Sequence, residues 1–351
     1  MADAGIDALL VGPGADLRYL VAHEAPPLER LTLLVLPASG TPSLVLPELE
    51  APLAEHAAEH AELLPWGEVE DPVALVVDRL AAAGADRGTL AVQDRLWTMF
   101  TLALQASLPD ASWVPGSRVL GELRLRKEPD EIAALHAAGA AIDRVHAQVP
   151  GLLRPGRTER EVAADLDALI REEHDVVNFV IVGSGPNGAS PHHEAGDRRL
   201  DDGDAVVIDI GGTRAGYCSD MTRDYVVGHL PDGYERLHAV LEQAQQAAVE
   251  AVAPGVAAEE IDATARRIIE EAGYGEQFIH RTGHGIGIEE HEEPWIVAGN
   301  RRPLEPGMAF SVEPGIYVPG RYGSRIEDIV VVTDDGVERC NHRPREVVVC
   351  G

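Results

Sequence analysis

The stretch PGRTEREVAADLDALI, beginning at Pro155, returns at Pro254 as PGVAAEEIDATARRII, an offset of 99 residues. Under that offset Pro-Gly falls on Pro-Gly, Glu161 on Glu260, Val162 on Ile261 and Leu169 on Ile268. Both copies space their apolar residues by three and four, in the first copy Val162, Leu166, Leu169 and Ile170, which is the pattern of a helix with one buried face. Thr158 followed by Glu161 supplies a capping box. The repeat predicts two halves of like fold packed about a pseudo-twofold axis.

Working outward, LDDGDAVVID (Leu200–Asp209) overlays LEPGMAFSVE (Leu304–Glu313) without a gap at an offset of 104, and Asp209 falls on Glu313. Asp220 in GYCSDMTRDYVV falls on Glu327 in YGSRIEDIVVVT at an offset of 107, each ahead of an apolar strand. A carboxylate in an apolar setting takes up a proton unless a cation, a donor network or a metal holds it. Any one of these acids is accounted for by a cap, an ion pair or a turn. Matched in two registers, they predict two equivalent pairs converging on the axis, where four carboxylates repel one another unless something positive sits among them.

The loop HRTGHGIGIEEHEEP (His280–Pro294) offers a nitrogen donor. His284 stands between glycines that let the backbone pass close to a site, whereas His280, at the end of an apolar run, reads as a packed histidine. His291 falls on His192 of SPHHEAG at the offset of 99, so each half presents an imidazole from the same place, suited to substrate recognition and proton transfer. That match favours His192 over its neighbour His193.

A chain of 351 residues exceeds what one core organises and implies two domains. The first reads as an α/β unit: GIDALLV as a strand, LTLLVLPASGTPSLVLP as two strands about a Ser-Gly-Thr-Pro turn, and a helix from Asp71-Pro72 to Gly84. The charged segment LRLRKEPDEI sets the boundary, giving domains 1–122 and 123–351. The sparse cysteines Cys218, Cys340 and Cys350 form neither a disulfide framework nor a thiolate zinc knuckle and fit a reducing cytoplasm. No segment has the length of a membrane span. The 59 acidic against 29 basic residues, net −30, would repel a nucleic acid, and no basic patch interleaved with aromatics offsets them.

At these residues the chain resembles the pita-bread metallopeptidases, specifically their proline-specific branch of prolidases and aminopeptidases P. Asp209, Asp220, His284, Glu313 and Glu327 follow that family's ligand order, with its IED-type strand present as Ile326-Glu327-Asp328 after Arg325. The resemblance implies an α/β (α+β) fold: an N-terminal α/β domain of creatinase/prolidase type, serving substrate gating and dimerisation, then a pita-bread catalytic domain. It also implies a homodimer acting on proline-containing peptides. Two divalent ions are expected, manganese first and cobalt, zinc or iron as alternatives, with Asp209 and Glu327 bridging them. Four carboxylates and one imidazole without a thiolate suit hard or borderline ions. Glu313 would relay a proton to the leaving nitrogen, His192 and His291 would steady the oxyanion and substrate, and Thr222 would hold a ligand by hydrogen bond. Arg325 would orient a ligand or meet a substrate carboxylate. Other readings are a methionine aminopeptidase, a metal-free creatinase-like hydrolase and a non-catalytic binding protein.

The acid surplus, with Lys127 the one lysine, predicts a surface whose self-repulsion is relieved by counterions. The melting temperature is expected to rise by a few degrees from low to molar salt; identical melting in both would end that reading.

Overall fold

The computed structural model describes Met1–Gly351, and its internal contacts divide the chain into Met1–Arg124 and Leu125–Gly351. The first unit contains strands β1 (Ala8–Val11), β2 (Leu33–Pro37), β3 (Ser43–Pro47), β4 (Glu62–Trp66), β5 (Thr89–Val92) and β6 (Ser112–Pro115). They form one mixed sheet in the order β4-β3-β2-β1-β5-β6. The runs flanking Ser-Gly-Thr-Pro become β2 and β3, antiparallel with Leu33 opposite Val45. Helices α1 (Ala15–Val21), α2 (Pro72–Ala82), α3 (Thr98–Ser107) and α4 (Ser117–Leu125) accompany the sheet. Asp71 caps α2 by accepting the Val73 N–H at 2.9 Å, with Pro72 in the first turn. Alternate residues of β1 feed separate cores, Ala8 and Leu10 one, Leu9 and Val11 the other, as expected of a strand buried on both faces.

The second unit opens with α5 (Pro129–His146), α6 (Val149–Leu152), α7 (Glu159–Glu173) and β7 (Val176–Ser184). The long strands β8 (Ala205–Arg214) and β9 (Tyr217–Val227) follow, then α8 (Tyr234–Glu250), α9 (Ala258–Glu271), β10 (Gly283–Gly285), β11 (Glu292–Ile296) and β12 (Ala309–Val312). The chain ends with β13 (Gly315–Val318), β14 (Tyr322–Arg325), β15 (Asp328–Val332), β16 (Val337–Arg339) and β17 (Val348–Cys350). One sheet runs β17-β9-β8-β7, a second β11-β10-β12-β15-β16, and β13 pairs with β14.

The internal repeat is present at the level of single hydrogen bonds. An isolated bridge joins Thr158 to Arg199, and its counterpart joins Ala257 to Pro303; the partners are related by the offsets of 99 and 104. Likewise the Gly156 N–H donates to Leu200 and the Gly255 N–H to Leu304, both at 2.8 Å. Helices α7 and α9 bury matching positions, Val162, Leu166 and Ile170 in one, Ile261, Ala265 and Ile269 in the other, each into its own half's core. Leu169 and Ile268 are half-buried in both. The Thr158–Glu161 capping box forms reciprocally.

The halves differ in the continuity of their strands. The first has two continuous strands, β8 and β9. In the second their equivalents break into β12 and β13, and into β14 and β15, at Glu313-Pro314 and Ile326-Glu327. Pro314 has no N–H for the ladder, which accounts for the break beside Glu313; at the other break the Glu327 N–H turns to the Thr222 carbonyl.

Replacing Thr158 by Ala removes one side of the capping box and should cost about 1 kcal/mol in urea unfolding, with metal content unchanged.

Candidate metal centre

In the β8–β9 ladder Asp209 lies opposite Thr222, and Gly211 opposite Asp220. Opposed residues share a face and side chains alternate along a strand, so Asp209, Asp220 and Thr222 leave the same face of this hairpin. The second half delivers its acids from strand ends: Val312 opposite Asp328 is the last rung of β12–β15, with Glu313 just beyond one strand and Glu327 just before the other. Thr222 joins the two halves. Its carbonyl accepts the Glu327 N–H at 3.2 Å, and its Oγ1 donates to Glu327 Oε2 at 2.8 Å.

His284 comes from β10, squeezed between β11 and β12. A Cβ on Gly283 would lie 1.9 Å from the Ser311 carbonyl oxygen, and one on Gly285 2.1 Å from that of Glu293; the flanking glycines are demanded by neighbouring strands. His284 Nδ1 stands 3.1 Å from the Gly285 carbonyl, which only accepts, so this nitrogen carries the hydrogen and Nε2 presents its lone pair. Nε2 lies 3.1 Å from Glu313 Oε1 and 3.8 Å from Asp220 Oδ2. Donor atoms of Asp220, His284 and Glu327 fall within 4.8 Å of one another.

All five side chains line one cavity of about 800 Å³. Its lining also includes His192, Arg281, Glu290 and His291, with Phe179, Ile181 and Ile279 as apolar wall. Burial, followed by repulsion from the neighbouring carboxylates, pushes the Asp220 and Glu327 carboxyls well above the usual range. Burial opposes charge on Glu313 too, but its neighbours, His284 first, then His280 and Arg325, prevail and hold it at about 2. Asp209 Oδ1 and Asp220 Oδ1 are buried without a hydrogen-bond donor. Donorless buried oxygens, acids forced towards neutrality and an unshared imidazole lone pair are what a divalent cation resolves. The residues present therefore fit such ions.

Arg325, for which the sequence left two roles open, is bonded to Asp209. The buried guanidinium donates through Nη2 to Asp209 Oδ2 at 2.6 Å, through Nε to Thr222 Oγ1 at 3.1 Å and through Nη1 to the Tyr317 hydroxyl at 2.8 Å. His291 stacks at a tilt over His284, ring centres 4.0 Å apart; desolvation by the cavity walls, then the adjacent His284 and Arg281, push it down to about 4. His192 faces the cavity, whereas His193 turns away to bond Glu159 at 2.8 Å.

Two participants escaped sequence reading. His280, read as a packing residue, lines the cavity and accepts from the Tyr317 hydroxyl at 2.9 Å, its Nδ1 hydrogen going to the Arg281 carbonyl. Tyr317, pushed up to about 12 mainly by burial, thus links His280 to Arg325. Neither has a counterpart under the repeat offsets, the signal that singled out the four acids.

The chain matches metallopeptidase family M24 over residues 133–334 and the creatinase/prolidase N-terminal domain over residues 1–126. It belongs to metallopeptidase family M24. A probable dipeptidase PepE of Mycobacterium bovis is 52% identical over 99% of this chain and 93% of the relative. A Xaa-Pro dipeptidase of Lactobacillus helveticus is 36% identical over 99% of this chain and 96% of its own. The crystal structure of a prolidase from Thermococcus sibiricus superposes with a TM-score of 0.94 at 38% identity, covering 99% and 95% of the two chains. The fold is that of the pita-bread metallopeptidases, and the metal-free and non-catalytic readings are not favoured. No helix is long and apolar enough to cross a membrane.

Thr222→Val keeps the shape of the strand and deletes the bond to Glu327. Metal affinity, followed by titrating the metal-free protein, should weaken about 10- to 100-fold; unchanged affinity would remove Thr222 from the site.

Proposed function

We propose that this protein hydrolyses the bond before proline in Xaa-Pro dipeptides, with Asp209, Asp220, His284, Glu313 and Glu327 holding two divalent metal ions. The observation that carries the proposal is the meeting of two repeat-related acid pairs and one lone-pair imidazole in a single cavity, in a chain whose relatives include proteins named Xaa-Pro dipeptidase and prolidase. Bound there, the ions supply Lewis acidity, acidifying water and polarising the scissile carbonyl.

The remaining work falls to side chains. Glu313, ionised at neutral pH, accepts a proton from the attacking water and passes it towards the imino nitrogen of the leaving proline. His192 and His291 face the same space, and His291 is neutral above about pH 4; its ring N–H can meet the oxyanion that develops on the carbonyl. Arg325 and Thr222 hold Asp209 and Glu327 in place. Phe179, Ile181 and Ile279 give the residue before proline an apolar wall.

Manganese is the first metal to test, supported by the oxygen-rich donor set, with cobalt, zinc and iron next. A homodimeric state and a gating role for the N-terminal domain, residues 1–122, rest on the resemblance to prolidases, and a cytoplasmic setting on the sparse, unpaired cysteines.

Chelation should abolish hydrolysis of Gly-Pro, and adding back Mn²⁺ should restore it. Asp209→Ala should fail to recover under the same treatment, and activity surviving that substitution would refute the site. His291→Ala should lower kcat on the order of 10²- to 10³-fold. A Xaa-Pro tripeptide assayed in parallel reports whether the enzyme is restricted to dipeptides.

A further inference from the structure

Outside the ligand set, one carboxylate collects more hydrogen bonds than any function assigned so far requires. Glu159, in the first turn of α7, is fully buried. Its Oε1 accepts from the Ser184 N–H at 2.9 Å, the Ser184 hydroxyl at 2.6 Å and Asn187 Nδ2 at 3.0 Å. Its Oε2 accepts from Asn187 Nδ2 at 3.1 Å, His193 Nε2 at 2.8 Å and the Gly196 N–H at 3.3 Å. Burial alone would raise its pKa, yet the bonds from Ser184, His193 and Asn187 hold it below the usual range. The partners have one thing in common: they bracket the loop from Ser184 to Gly196 that carries His192 to the cavity.

The second half contains the same device in a different place. Asp262, on α9 and almost fully buried, accepts from the Thr282 N–H at 3.0 Å and the Thr282 hydroxyl at 2.8 Å, and Arg266 holds both its oxygens. Thr282 in turn precedes Gly283-His284, and its carbonyl accepts the Glu313 N–H at 2.8 Å. In each half, then, a buried acid on the repeat helix grips a Ser or Thr at a strand end, from which an imidazole is sent to the site.

We propose that Glu159 is a positioning residue for the peptidase reaction, gathering the 184–196 loop so that His192 faces the metal ligands. The proposal rests on the reading of His192 as a substrate-facing imidazole. Five groups donate to one carboxylate, so neither oxygen retains freedom to rotate, and a loop that would otherwise sample many conformations is fixed at both ends.

Glu159→Gln tests this, because it keeps the volume but sets an amide NH₂ among groups that themselves donate. Hydrogen exchange should accelerate at the Ser184 and Gly196 amides and through the intervening loop, while the Thr282–His284 segment stays protected; unchanged exchange in the loop would overturn the proposal. On Gly-Pro, with metal content matched to the parent, kcat/KM should fall about 10- to 100-fold. In a His192→Ala background the same change should cost no more than about twofold. An equal loss in both backgrounds would mean that Glu159 acts on the fold at large and would overturn the proposal. His192→Ala alone distinguishes the two readings: full activity in that variant removes His192 from catalysis, and the catalytic half of this proposal with it, while leaving the metal site standing. Should Glu159→Gln fold poorly, Asn187→Ala withdraws two of the bonds and should reproduce the same pattern more weakly; no change in exchange or activity there counts against the clamp.

Discussion

The second unit is organised around a concentration of negative charge that its own residues do not neutralise. Asp209, Asp220, Glu313 and Glu327 line one cavity together with Glu290, and the guanidinium of Arg325 is bonded to one of them. Removing like charges from water while bringing them together is among the costliest arrangements available to a chain. Here the chain meets it by division of labour. Arg325 holds Asp209, Thr222 holds Glu327, Ser311 donates to Glu313 at 3.0 Å, and oxygens of Asp209 and Asp220 are left bare. Three of the four acids are thus steadied by donors of the protein, and the bare oxygens of Asp209 and Asp220 remain for cations.

This division also explains why a duplicated scaffold suits the task. A single hairpin can point two acids the same way, as β8 and β9 do, but it cannot surround an ion. A second hairpin facing it closes the shell, and the Thr222–Glu327 contact is where the faces are sewn together. The second copy then departs from regularity at the acids themselves, where Pro314 interrupts the ladder. A broken strand projects its side chain from an end instead of a face, so the halves supply similar chemistry along different directions.

The residues proposed as ligands could be picked out because duplication turned four individually unremarkable acids into two matched pairs, and because Gly283 and Gly285 mark His284 as a place where backbones pass closely. The N-terminal sheet was legible for a plainer reason: alternating apolar runs around Ser-Gly-Thr-Pro and a Pro-initiated helix carry local signals. What could not be read were groups that act through contacts remote in sequence. Tyr317 reaches Arg325 and His280 by way of a turn that no periodicity reveals. Glu159 and Asp262 were hidden by the repeat itself, since under its offset Glu159 falls on Ala258; the two halves share the device and not the position. The matched pair Glu161 and Glu260, by contrast, marks helix starts, where Glu161 completes a cap. Arg325 stood next to Glu327 in sequence, but three-dimensional pairing was needed to show that it serves Asp209.

The placement of the ligands along the chain has a consequence for how the protein is made. Asp209 and Asp220 leave the ribosome well before Glu313 and Glu327. Domains acquire their packing as synthesis proceeds, yet here the two acid pairs cannot face one another until Glu327 has emerged. A nascent polypeptide must therefore carry its first acids without the second pair, and any ion held between the pairs is captured only once both halves have been made.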